Sequence, residues 1–130
     1  MAESKAPATG ALRNERSEDY DSVYANNVTL EATFWDLKLS FGEVDQGMAT
    51  ISQHTGVTIP WSMAKIFAFL LQAQIIGYEL QNGQIKIPRE LIPAPFPPPT
   101  EEQQRADPNA KHAYEAISKL RNSFVHELKP

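Results

Sequence analysis

Residues 61–81 read WSMAKIFAFLLQAQIIGYELQ and form, on spacing alone, one helix that is apolar on almost every side. At about 100° per residue, Ile66, Phe69, Leu70, Ala73, Ile76 and Leu80 fall on one flank. Ala64, Phe67, Ala68, Leu71, Ile75 and Tyr78 fall on the other. Lys65, Gln72 and Glu79 recur every seven residues and leave a narrow polar stripe, with Gln74 and Gln81 as stray polar positions. A helix lying on one sheet needs one apolar face, so two apolar flanks call for two partners. The same polar residues leave no run of about 18 apolar positions, which favours a soluble core helix over a membrane span.

The helix is bounded by recognisable signals. Pro60 ends a strand and suits the first turn of a helix, where Ser62 can help to cap. Asn82-Gly83 closes it, because glycine takes the left-handed conformation that satisfies the last carbonyls. Gln84 to Ile87 follows as a short strand, with Ile85 and Ile87 on one face.

Upstream, Val28, Leu30 and Ala32 alternate with Thr29 and Glu31, and Trp35, Leu37, Leu39 and Phe41 alternate with Asp36, Lys38 and Ser40. Both patterns predict half-buried strands. The apolar phase switches from even to odd numbers between Ala32 and Trp35. No Gly, Pro or Asn-Gly lies there, so a bulge or bend is expected rather than a tight hairpin. Gly42 to Gly47 reads as a turn region, and Met48 to Ile59 as one or two short strands. The order β-β-β-α-β makes an α+β fold with a small antiparallel sheet and one long buried helix.

The flanks of this 20–88 core differ in character. Residues 1–19 hold almost no large apolar side chain and read as a disordered tail. Six of the twelve residues from Pro88 to Pro99 are proline, so residues 89–106 read as an extended spacer. Asp107-Pro108 then supplies an N-cap and a first-turn proline for a C-terminal helix over 107–130. Its apolar stripe runs Ala113, Ile117, Leu120, Phe124 and Leu128, with Glu115 and Lys119 as an i,i+4 pair.

At 130 residues the chain fits one domain, and 42% apolar content can support a core. A net charge of −4 and a pI near 5.3 provide no basic field for nucleic acid or anionic lipid. The absence of cysteine excludes disulfides and thiolate metal sites and suits a reducing cytoplasm. No apolar leader segment is visible near the N-terminus.

Between Tyr24 and Pro88 the chain resembles a family of small bacterial proteins, the domain-of-unknown-function family 3467. The resemblance is carried by Tyr24-Ala25-Asn26-Asn27-Val28, by Trp35 to Gly42, by Ile59-Pro60-Trp61-Ser62-Met63-Ala64-Lys65, and by Tyr78-Glu79 with Asn82-Gly83-Gln84-Ile85. It covers about half the chain and implies a compact strand-rich domain closed by a long helix. It implies no catalytic residue, cofactor or partner, and the proline-rich segment and last helix lie outside it.

Chemistry-bearing motifs are scarce. His112 and His126 lie too far apart on one helix to share a metal ion, and His54 reads as a locally hydrogen-bonded side chain. Asn26 and Asn27 suit turn or edge-capping chemistry at a strand start. Tyr78 and Glu79 read as a buried ring and a continuation of the polar stripe. No phosphate-binding loop, nucleophile elbow or zinc-protease motif is present. Lys38 and Phe34 alone are too little for an RNA-binding sheet.

The expectation is therefore a non-enzymatic cytoplasmic interaction or adaptor protein with no cofactor and no metal. It forms a homodimer through the flank Phe67, Leu71, Ile75 and Tyr78, the rival cover for that flank being the Ala113–Leu128 stripe, with the opposite flank covering the sheet. Ile117, Leu120, Phe124 and Leu128 form an arm for a protein partner, with neither nucleic acid nor membrane involved. The alternatives are a chaperone-like module that holds extended hydrophobic segments, and an enzyme using Asn26, Asn27, Tyr78 or Glu79.

Overall fold

The chain was analysed as a computed structural model that describes residues 12–128, so residues 1–11 of the expected tail lie outside it. The fold is α+β. Three strands, β1 (Asn27–Ala32), β2 (Asp36–Asp45) and β3 (Thr50–Pro60), precede a long helix, α1 (Trp61–Asn82). A single 3-10 turn at Arg89–Leu91, a short helix α2 (Glu101–Ala106) and a C-terminal helix α3 (Ala110–Glu127) follow. The chain divides into two compact units, one ending at Leu70 and the other beginning at Leu71.

In the first unit the strands form an antiparallel sheet in the order β1-β2-β3. The register aligns Val28 with Phe41, Leu30 with Leu39 and Val57, and Ala32 with Leu37 and Ile59. Because side chains alternate along a strand, these residues share one apolar face. The phase change between Ala32 and Trp35 is a hairpin and not the expected bulge. Thr33, Phe34 and Trp35 turn the chain, and β2 pairs back along β1. A bulge does occur, but in β3: Phe41 pairs with Thr55 and Gly42 with Gln53, leaving His54 as the extra residue. The supposed turn region therefore carries β2 on to Asp45, and β3 is one continuous strand.

Glycine is required at the bulge. A Cβ on Gly42 would collide with the Ser52 carbonyl and stand 2.8 Å from Gln53 Cα.

In the second unit Gly83 ends α1 as expected, with φ +87° and its N–H bonded to the Glu79 carbonyl at 2.9 Å. The expected fourth strand does not form. Residues 84–87 carry no strand pairing, and the Ile85 N–H bonds instead to the Glu79 carboxylate at 2.8 Å. The proline-rich spacer also contains more structure than extended chain. Thr100 and Gln103 make a reciprocal capping box that starts α2. Asp107 does not begin α3 directly; its carboxylate accepts from Asn109 N at 2.9 Å, and the helix starts at Ala110.

The largest departure concerns the core. Among the described residues only Leu39 (6% exposed), Ser40 and Gly42 are buried. The long helix, expected to be buried, has no buried residue in the single chain.

Candidate interaction surfaces

The start of α1 is fixed by the β1–β2 turn. Thr33 Oγ1 accepts from Trp35 N at 3.1 Å and Asp36 N at 3.0 Å, and donates to the Asp36 carboxylate at 2.8 Å. The threonine hydroxyl thus supplies the turn chemistry that Gly or Asn would otherwise provide. The indole Nε1 of Trp61 donates to the Thr33 carbonyl at 2.9 Å, which ties the first helical residue to the turn.

At the other end of the sheet, polar side chains organise the bulge. Asn26 Oδ1 accepts from Val44 N at 2.9 Å, while Asn26 N donates to the Gly42 carbonyl at 3.0 Å. His54 Nε2 lies 2.9 Å from the Tyr24 carbonyl and Nδ1 lies 2.8 Å from Thr55 Oγ1. A carbonyl only accepts, so Nε2 carries a proton and donates to it, while Nδ1 pairs with the threonine hydroxyl. Asn26 and His54 are both occupied in holding the chain to the sheet, Asn26 in line with the edge-capping expectation and His54 through a carbonyl 30 residues away. Asn27 Oδ1 is buried without a protein partner among the described residues.

Within the first unit the helical residues through Leu70 do not cover the sheet, contrary to expectation. Val28, Leu30 and Val57 stay exposed on the apolar sheet face. Ile66, Phe67, Phe69 and Leu70 stay exposed on the helix, Phe69 at 68%. The reason is local: β3 ends at Pro60 and α1 begins at Trp61, so no loop exists to turn the helix back over its own strands.

In the second unit both flanks of α1 are again largely open. Leu71, Ile75 and Tyr78 of the expected dimer flank are exposed, as are Ile76 and Leu80 opposite. The last turns of α1 meet the end of α3 around an open cleft of about 780 Å³, lined by Ile75, Ile76, Leu80, Ile85, Ile87, Phe124 and Leu128 among others. Gln84 Nε2 donates to the Glu127 carbonyl at its edge. Phe124 and Leu128 are thus half-buried within the unit, while Ile117 (41% exposed) and Leu120 (71% exposed) stay exposed. The four residues of the expected arm divide into two pairs with different surroundings.

The proline-rich segment is fastened to α3. Arg121 Nε donates to the Pro93 carbonyl at 3.1 Å, and Phe96, Pro97 and Pro99 share a shallow pocket with Tyr114 and Ile117. Ala110, Tyr114 and Arg121, which face this segment, are half-buried. The Arg121 contact was not legible from sequence, since a lone arginine on a helix carries no signal for a carbonyl 28 residues away.

Asn26 and Asn27 belong to the first unit and Tyr78 and Glu79 to the second. Glu79 is engaged with Ile85 N, and no group of three or more potential metal ligands occurs among the described residues. By length and composition α1 is apolar enough to cross a membrane. No protein-family model, curated protein or solved structure matches the chain.

Proposed function

We propose that the chain is a non-enzymatic interaction or adaptor protein, a homodimeric scaffold carrying a C-terminal arm that meets a protein partner. One observation carries the reading: only three of the described residues are buried, while two helix flanks and one sheet face are apolar and open. Each large side chain left in water forgoes roughly 1.5–3 kcal/mol, against a whole-domain stability of about 5–15 kcal/mol. A second subunit relieves that deficit. The polar stripe Lys65, Gln72 and Glu79 supports a cytoplasmic location over a bilayer, and the resemblance to family 3467 supports a bacterial setting.

The exposed pair Ile117 and Leu120 is the part of the arm offered to a partner, Ile117 from beside the pocket it shares with Phe96, Pro97 and Pro99. Sedimentation equilibrium tests the scaffold, and a dimer is the expected result. The double variant Ile117→Glu/Leu120→Glu tests the arm: it stays dimeric and loses a partner that the parent chain holds under crosslinking. A monomeric, well-folded parent chain rules the reading out.

A second reading is favoured by the cleft between the last turns of α1 and α3. Its lining of seven apolar residues, edged by Gln72, Glu79, Gln84 and Glu127, suits an extended hydrophobic segment of a client protein. That reading expects the native dimer to suppress aggregation of an unfolded client and to bind a hydrophobic dye, and Ile76→Glu to abolish both.

A further inference from the structure

We infer that the second copy is engaged reciprocally: α1 of each chain lies over the apolar sheet face of the other. The inference rests on the dimeric reading above and specifies its topology. Three observations lead to it. On the sheet face around the buried Leu39, Val28, Leu30 and Val57 stay exposed, and so do Ile66, Phe69 and Leu70 on one flank of α1. Both surfaces are apolar, the sheet residues aliphatic and the helix flank aliphatic with one aromatic ring, Phe69.

They belong to the same chain, yet the strand runs into the helix with no residue between Pro60 and Trp61. Connections that return a helix over its own sheet use about 2–6 residues. A helix leaving its strand without a loop therefore reaches a copy of its sheet more readily than its own. Exchange of an identical element about a two-fold axis gives each sheet one helix and closes the assembly.

The area agrees. The exposed fractions of the apolar residues on α1 and on the sheet face, 38–83% each, amount to on the order of 1,000 Å² per chain. Doubled across a two-fold axis, this reaches the range of about 2,000 Å² and above where obligate homodimers lie. Covering the sheet with the Ile66, Phe69 and Leu70 flank leaves Phe67, Leu71 and Ile75 for the partner's α1. Both flanks then have a use.

The chain contains no cysteine, so introduced thiols report without background. Two full-length forms with tags of different size are co-expressed, one carrying Leu30→Cys and the other Phe69→Cys, and treated with a bis-maleimide. Reciprocal exchange yields a covalent product bearing both tags, and the double variant yields a covalent dimer. Val28→Cys with Ile66→Cys repeats the test should the first pair disturb folding.

An intrachain product of monomer mass in the double variant, with a dimer by sedimentation, overturns the exchange and leaves the scaffold reading intact. Failure of both pairs to give the mixed-tag product, or linkage between Phe69→Cys helices alone, has the same meaning. A folded monomer by sedimentation overturns both. A chain recovered only with phosphatidylcholine vesicles or detergent assigns the apolar flanks to a bilayer and overturns both as well.

Discussion

The indole of Trp61 donates to the carbonyl of Thr33 at 2.9 Å, joining the first residue of α1 to the turn between β1 and β2. With no loop at Pro60, this bond is, among the described residues, the one side-chain hydrogen bond between α1 and the sheet or its turns. Trp61→Phe keeps a ring and removes the donor. A typical internal hydrogen bond contributes about 0.5–1.5 kcal/mol, and a loss of that size is expected in denaturant titrations at fixed protein concentration. Because the exchange depends on helix direction, the variant is also expected to dissociate at higher protein concentration than the parent chain.

Thr33 tests the turn itself. Thr33→Val keeps the β-branched shape and removes an oxygen that accepts two backbone N–H groups and donates to Asp36. A destabilisation of about 1–2 kcal/mol is expected. Thr33→Ser retains the hydroxyl and should lose much less, which separates the hydrogen bonds from the loss of a methyl group. Thermal unfolding followed by circular dichroism measures both.

These two residues also show where the sequence was readable. Alternation located β1 and β2, and glycine after Asn82 located the end of α1, because burial period and positive φ leave marks on residue type. The hairpin leaves no mark in the sequence because its turn is built from a threonine hydroxyl, which carries no distinctive dipeptide. The real bulge sits at His54, in a polar Thr-rich stretch where no apolar phase exists to shift. Helix α2 is marked only by the capping box of Thr100 and Gln103, set among prolines whose composition signals extended chain. The two apolar flanks of α1 were evident from spacing, but what covers them depends on a connection of zero length, which periodicity does not reveal.

Glycine at the bulge is a steric requirement. A Cβ on Gly42 meets backbone atoms of Ser52 and Gln53, which cannot rotate away. Overpacking of this kind costs about 1–3 kcal/mol, so Gly42→Ala is expected to lower the unfolding midpoint clearly. Gly56→Ala is the control. Its Cβ meets only Lys38 Cε at 3.2 Å, part of a flexible side chain that can move, and a change below about 0.5 kcal/mol is expected.

Two further glycines bear on α1 with opposite signs. Gly83 has φ +87°, so Gly83→Ala puts a Cβ into a left-handed residue and is expected to cost about 1 kcal/mol. Gly77 lies inside the helix with nothing within 4 Å of an added Cβ. On helix propensity alone Gly77→Ala gains about 0.5–1 kcal/mol. That gain is the expected result if the partner chain leaves room at Gly77. Position 77 follows Leu70 and Ala73 along the flank assigned to the partner's sheet, where a facing strand backbone has space for glycine and not always for alanine. Stability of Gly77→Ala, measured at several protein concentrations, therefore reads the interface directly. A concentration-independent gain places Gly77 outside the contact, whereas a loss that eases as protein concentration rises places it at the closest approach of the two chains.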